Sequence, residues 1–389
     1  MTILFLTKGY ARYRRDLVEA VAEALSPRDT LLLATPSAKE ELWEVDWDSL
    51  SKNQGRVYYR DFPRAGLKDA FILLKRRVWP RPHRSEPAAA RFRQLNPDLV
   101  VIQEFSWPML KVAICCRLAG IPCVVCSDIG EQTNWSYGQF SRRAWLVHAL
   151  VSWIPTGLVA HTPAAMNPIA AKRRPKIFIP HSIDLRRSRS ALEHPQKTGD
   201  KVIGLVVAAY NERKGYDLLA QAIRLLKEKG IRNMEFRWVG TENPAWLESV
   251  IATEGIGEGV KVLGVLKGEP LFQEFERADF FVLPTRADTY AVVVHEAAGF
   301  GLPLVISKFA GSASVLVNEG ENGFVVDPNE IEVFADRLEL LIGDEGLRQR
   351  FAQNSLRVGK KYCASQMGRQ LAEWLLPHVR RDRSLLSSE

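Results

Sequence analysis

Short apolar runs alternate with amphipathic stretches along most of the chain. Ile3–Thr7 is apolar, and apolar positions at helical spacing follow over Arg14–Leu25. Thr30–Thr35 is the next apolar run, and Leu99–Gln103 begins directly after Asn96-Pro97-Asp98. Trp107–Ala119 reads as a helix, with Pro122–Ser127 and Gly157–His161 as further strands. Runs that are apolar throughout are what a parallel sheet covered on both faces requires. Their alternation with helices predicts the α/β class.

The texture changes over Arg186–Asp200, where polar residues, Pro and Gly dominate, and this stretch reads as a linker. A second series then begins with a strand at Val202–Ala208, a helix at Tyr216–Lys229 and a strand at Glu235–Val239. Strands at Val260–Leu263 and Phe280–Leu283, a helix at Val292–Gly299, and strands at Leu304–Ser307 and Gly323–Val326 complete it, with helical sequence from near Pro328. The expectation is an N-terminal domain over 1–190, a C-terminal domain over 200–360, and a helical tail over 361–389 that packs back on the N-terminal domain. Two such domains predict a cleft between them, with ligands beyond the carboxyl ends of the strands.

Composition narrows this picture. A length of 389 residues suits two domains, and 25% charged residues is ordinary for a globular chain. The longest apolar stretch, Ala144–Ala160, is broken by His148, Ser152, Pro155, Thr156 and Gly157, so no transmembrane span is expected. The opening Met-Thr-Ile-Leu-Phe-Leu-Thr-Lys has no basic start and no long apolar run; it reads as a first strand rather than a signal peptide, and a cytoplasmic protein is expected. Cys123-Val-Val-Cys126 has redox or zinc spacing, but the two valines make it a buried strand with reduced cysteines acting as small hydrophobes.

Charge is unevenly spread. Residues 1–199 carry 30 Lys and Arg against 18 Asp and Glu, whereas the remainder carries 23 against 27. The basic half calls for an anionic partner: a phosphorylated or lipid-linked acceptor, or an anionic membrane. No zinc-finger, RNA-binding or basic-zipper signature is present, so nucleic acid is not expected. Leu67–Trp79 interleaves apolar residues with Lys68, Lys75, Arg76 and Arg77, and reads equally as a membrane-surface helix or a solvated one. Pro80–Pro87 is a loop.

The stretch Phe281–Ser307 is the most informative for chemistry. It reads as a buried strand, a polar loop holding Asp288, a helix holding Glu296, and another strand. Tyr290, Ala291 and Val292 would offer backbone N–H groups at the helix start, where a phosphate is favoured. Two carboxylates around such a start suit a nucleotide sugar, because each accepts hydrogen bonds from paired hydroxyls.

On these residues the sequence resembles the retaining family-4 glycosyltransferases of the GT-B fold. Asp288, seven intervening residues and Glu296-Ala, followed by Gly-x-Pro, is similar to the family's E-x7-E segment, with Asp where Glu is usual and Thr289-Tyr290-Ala291 where Gly-Phe-Gly is usual. Asn211-Glu-Arg-Lys-Gly-Tyr-Asp-Leu-Leu-Ala-Gln-Ala222 resembles its Lys-Gly-x-x-x-Leu-x-x-Ala signature, with Ala209 at a position that often holds Arg. Pro180-His-Ser-Ile-Asp184 resembles its Pro-Asn-Gly-Val-Asp, and Trp238-Val-Gly240 its Val-Gly strand end.

The resemblance implies GT-B architecture: two Rossmann-like domains, the N-terminal on the acceptor side and the C-terminal holding the donor. It implies retaining transfer from a nucleoside diphosphate sugar, UDP or GDP, without cofactor or metal, to a glycan or lipid-linked acceptor of cell-surface polysaccharide or lipopolysaccharide assembly. It assigns Lys214, helped by Arg213, to the pyrophosphate, Asp288 to the donor sugar and Glu296 to the ribose. Gly9, Gly240, Tyr290, Ala291 and Val292 fall where the donor is lined, and Val265 and Leu266 where the base is read. Asp128 stands in a loop where relatives often carry His, and it or Glu131 would contact acceptor or donor sugar; the bland alternative is a capping Asp. His161, His181 and His295 are expected to be structural. Two rivals remain: a dehydrogenase, which wants a G-x-G-x-x-G that is missing here, and a non-catalytic paralogue that binds a partner.

Overall fold

The computed structural model describes residues 1–7, 11–26, 29–35, 57–61, 97–103, 107–129, 146, 148–150, 154–167, 173–185, 201–240 and 243–386. Gly9, Glu131, the segments 67–79 and 80–87, and the linker 186–200 lie outside them. Two compact units are present. The described residues of Met1–Thr133, Gly138–Asp184 and Ala364–Glu389 form one, and those of Leu185–Cys363 form the other.

The first unit contains β1 (Thr2–Leu6), α1 (Arg12–Ala24), β2 (Thr30–Thr35), β3 (Val57–Asp61), β4 (Leu99–Ile102), α2 (Trp107–Leu118), β5 (Cys123–Ser127), β6 (Gly157–Ala160) and β7 (Lys176–Phe178). The second contains β8 (Val202–Val207), α3 (Tyr216–Glu228), β9 (Met234–Val239), α4 (Pro244–Thr253), β10 (Val260–Gly264), α5 (Glu269–Arg277), β11 (Phe280–Leu283), α6 (Val293–Gly299), β12 (Leu304–Ser307), α7 (Ala313–Leu316), β13 (Gly323–Val326), α8 (Ile331–Gly343) and α9 (Glu345–Lys361). The chain then returns to the first unit as α10 (Ala364–Leu386).

In the first unit the strands run in the order β3-β2-β1-β4-β5-β6-β7, all parallel. The strands β4, β5 and β6 are buried along their whole length, as their unbroken apolar sequence requires. Cys116, Cys123 and Cys126 are buried free thiols. A hydrogen bond with Cys116, and then burial, push the Cys123 thiol well above its usual range, while burial pushes Cys126 up to about 12. Such thiols are inert packing groups. Helix α10 lies on α1 at close range: a Cβ on Gly368 would come within 2.5 Å of the Ala20 Cβ.

In the second unit the order is β10-β9-β8-β11-β12-β13, again parallel. The apolar stripe of α3 (Tyr216, Leu219, Ala220, Ile223, Leu226) follows the helical repeat and is fully buried. It packs with Trp238, Phe236, Phe280 and Phe334 into one core. Burying side chains of this size contributes about 1.5–3 kcal/mol each. The neighbours β8 and β11 share register, with Gly204 opposite Phe280 and Leu205 opposite Phe281. Their carboxyl ends therefore lie side by side, and so do the loops that leave them. Among the described residues no helix is long and apolar enough to cross a membrane.

Candidate active site

The loop after β8 reaches Lys214 through a short turn capped by Asn211, whose side chain accepts from the Lys214 N–H. Gly215 follows at φ 73°, and a Cβ there would stand 1.9 Å from the Pro284 carbonyl oxygen. Only glycine tolerates both the left-handed backbone and this approach. The turn is thereby pressed onto the segment Pro284–Asp288 that leaves β11.

Hydrogen bonds fix that contact. Thr285 Oγ1 donates to the Arg213 carbonyl at 3.0 Å, and the Arg286 N–H donates to the same carbonyl at 2.8 Å. The Arg286 guanidinium grips Asp217 with two bonds of 2.7 and 2.6 Å. This clamp escaped the sequence reading; the only signal for it was an Arg inside the polar loop.

Lys214 Nζ donates to Asp288 Oδ2 at 2.5 Å, and Arg213 Nη1 lies 4.0 Å from the same oxygen while donating to the Ala287 carbonyl at 2.8 Å. The sequence-predicted Lys214, Arg213 and Asp288 are thus brought together. Two cations face one carboxylate, so one positive charge is left for an anion.

The expectation for the helix start needs correction at Tyr290. Its N–H donates to Asp288 Oδ1 at 3.2 Å, so it is already occupied, and α6 begins only at Val293. Short side chains that accept from the residue two positions on form such local turns. Asp288 is itself held from both sides, its N–H donating to the Phe309 carbonyl and its carbonyl accepting from Gly311, each at 3.0 Å. The Phe309–Ser312 loop after β12, missed in the sequence, buttresses it. Ala291 is buried at φ 69° and is the single non-glycine at positive φ among the described residues. It occupies the third position of the family's Gly-Phe-Gly. Val292 and Glu296 are half-buried.

His295 is fully buried, and its Nε2 lies 3.1 Å from the Gly359 carbonyl, tying α6 to α9. A Cβ on Gly240 would stand 1.9 Å from the Ala208 carbonyl oxygen, so this residue is required for a close backbone approach at the end of β9. Val265, after β10, exposes 56% of its surface, an apolar residue open at a carboxyl strand end, and Leu266 beside it is half-buried.

The first unit carries a second cluster. Asp128 directly follows β5, His161 follows β6, and His181 follows β7. His181 Nε2 and Asp128 Oδ1 are 2.7 Å apart, and the His161 and His181 rings stack with centroids 4.0 Å apart. Thr162 Oγ1 donates to the Asp128 carbonyl at 2.8 Å. Burial alone would raise the Asp128 carboxyl, but the His181 charge and hydrogen bond, with His161 and Arg14, outweigh it and hold the group below the usual carboxylate range. Burial, followed by the neighbouring His181, pushes His161 down to about 3. Asp128 is therefore held by the hydrogen bond with His181 rather than capping a turn.

These features are those of an α/β protein of GT-B architecture, with two Rossmann-like parallel-sheet domains. The fold matches sucrose-phosphate synthase from Thermosynechococcus elongatus with a TM-score of 0.71 at 18% identity, covering 100% of both chains. It matches Anabaena HepE, solved in complex with UDP, with a TM-score of 0.72 at 18% identity, covering 97% of this chain and 100% of that one. Residues 189–358 match the model of the glycosyl transferases group 1 family. The alpha-D-kanosaminyltransferase of Streptomyces kanamyceticus is 30% identical over 192 residues, 49% of this chain and 49% of that protein. The chain thus spans about half the length of the curated relatives it matches.

Proposed function

We propose that the protein is a retaining glycosyltransferase of the family-4 type that moves a sugar from a nucleoside diphosphate sugar to a glycan or lipid-linked acceptor. The observation that carries this reading is Lys214 at 2.5 Å from Asp288 with Arg213 at 4.0 Å, on adjacent loops at the carboxyl ends of β8 and β11. Departure of a nucleoside diphosphate develops negative charge on its outer phosphate. Lys214 and Arg213 take up that charge at a preorganised position, which requires no metal at the phosphates. Asp288 keeps Lys214 oriented and offers its oxygens to the sugar hydroxyls; Glu296 accepts from the ribose hydroxyl pair.

UDP is the preferred nucleotide, because HepE, a structural neighbour, was solved with UDP; GDP is the alternative. Asp128 is assigned to sugar contact on the resemblance alone. The basic N-terminal half supports an acceptor at the cytoplasmic face of an anionic membrane, in cell-surface polysaccharide or lipopolysaccharide assembly. Co-sedimentation that ignores the anionic lipid content of vesicles would remove that part of the proposal.

The test is a hydrolysis screen of UDP-, GDP-, ADP- and TDP-sugars with wild type, Glu296→Ala and Lys214→Ala. Wild type is expected to turn over donors of one base, and Lys214→Ala to lose about 10²–10³-fold. Equal turnover by all three proteins refutes the site. No nucleotide binding by wild type in calorimetric titration points instead to a non-catalytic binding protein on the same scaffold.

A further inference from the structure

The cluster Asp128, His161 and His181 is made of metal-ligand chemistry. One ligand atom from each lies within 4.8 Å of the others. The three come from the carboxyl ends of consecutive neighbours β5, β6 and β7, which the sheet order sets side by side.

His161 carries the argument. It is 4% exposed, and its Nδ1 lies 2.6 Å from the Ile179 carbonyl. A carbonyl accepts only, so Nδ1 holds the ring proton and Nε2 is left as a bare lone pair. Among the described residues, Nε2 has no hydrogen-bond partner. Nε2 is not one of the buried side-chain atoms left unsatisfied, so this nitrogen keeps access to solvent and to an incoming ion. An imidazole whose other nitrogen donates to a backbone carbonyl is also the usual form of a metal-ligating histidine. Asp128 is similarly prepared, its backbone carbonyl held by Thr162.

We propose that Asp128, His161 and His181 bind one divalent transition-metal ion of the Zn2+ class. Two imidazoles and one carboxylate are a three-ligand set that leaves a fourth position for water or an oxygen ligand. Nitrogen donors favour such an ion over Mg2+ or Ca2+, which prefer all-oxygen sites. His181 Nε2 and Asp128 Oδ1 are 2.7 Å apart. Two ligands on a tetrahedral ion stand roughly 3.3 Å apart. The ion therefore takes the place of that direct contact, and the pair opens by about half an ångström on binding. Asp128 is half-buried, which leaves a path for the ion to enter. This site shares Asp128 with the residues assigned to sugar contact, but it does not use Lys214, Arg213 or Asp288, and metal uptake is measured without a sugar donor.

Calorimetric titration with Zn2+, and separately with Mg2+, on chelator-treated full-length protein tests it. Wild type is expected to take up one Zn2+ that His161→Ala and Asp128→Asn bind at least about 10-fold more weakly, and to show no Mg2+ isotherm. Thermal melts give a second readout: Zn2+ raises the wild-type melting temperature and leaves both variants unmoved. Should His161→Ala fail to fold, Asp128→Asn carries the test, because it keeps the side-chain shape. A Zn2+ isotherm unchanged in the folded variants, competition by equimolar Mg2+, or no Zn2+ uptake by wild type overturns the proposal.

Discussion

Lys214 Nζ and Asp288 Oδ2 meet at 2.5 Å with only 13% and 15% of their side chains exposed, although 74 positions separate them in sequence. The pairing of β8 with β11 produces this, because two parallel neighbours deliver their following loops to one place. An ion pair at this depth is strongly coupled: removing one partner leaves the other charge buried, at about 3–5 kcal/mol. Lys214→Ala is therefore expected to lower stability as well as turnover, and Lys214→Arg to restore stability more than rate. Urea unfolding beside donor hydrolysis separates the two. Stability unchanged in Lys214→Ala would mean that the pair is solvated in solution.

Gly215 offers a sharper probe of the same contact. Alanine there meets the Pro284 carbonyl at 1.9 Å and sits at φ 73°. Strain of this kind costs about 1–3 kcal/mol, and the backbone shift that relieves it separates Lys214 from Asp288. Gly230 has φ 85° but no atom within 4 Å of its added Cβ. Gly215→Ala should lose activity and stability together, and Gly230→Ala only about 1 kcal/mol of stability. Equal activity in the two variants contradicts the role given to the turn.

Much of this was legible in the sequence, for a physical reason. Strands buried on both faces must be apolar throughout, so β4, β5, β8, β11 and β12 stand out as runs. The pairing of Lys214 with Asp288 was legible through the ordered motif that carries them. Other parts were not. Strand β7 is three half-buried residues at a sheet edge, too short to show a period. The Asp128–His181 pair spans 53 positions, and no spacing rule covers ligands gathered from the ends of parallel strands. The Tyr290 N–H was read as open because the backbone bend at Ala291, which delays the helix, is not written in side-chain polarity.

Ala291 supplies a prediction in the stabilising direction. A non-glycine residue in the left-handed region costs roughly 1–2 kcal/mol, while glycine adds about 0.4–1 kcal/mol of unfolded-state entropy. The first effect is larger. Ala291→Gly is expected to gain about 0.5–1 kcal/mol, and Ala291→Val, with a branched Cβ at the same φ, to lose more than that. Thermal melts of the three proteins decide it, and a lower melting temperature for the glycine variant would show that the bend relaxes in solution.

The histidines set a pH dependence whose sign follows from burial. His161 and His148 are pushed from 6.5 down to about 3 and about 4, in both cases chiefly by burial. The folded protein keeps both rings neutral where the unfolded chain already protonates them. The unfolded state therefore binds more protons below pH 6.5, and stability falls as pH drops through the window toward those folded values. Each fully titrating ring contributes up to about 1.4 kcal/mol per pH unit. Asp128 acts in the same sense at lower pH: its share is complete above the ordinary value of 3.8 and is lost as pH falls below it. His161→Gln should reduce the slope between pH 6.5 and pH 4.5 by roughly half, because His148 remains. Chemical unfolding at stepped pH values measures this directly. Superimposable slopes for wild type and His161→Gln would place the His161 ring in contact with solvent.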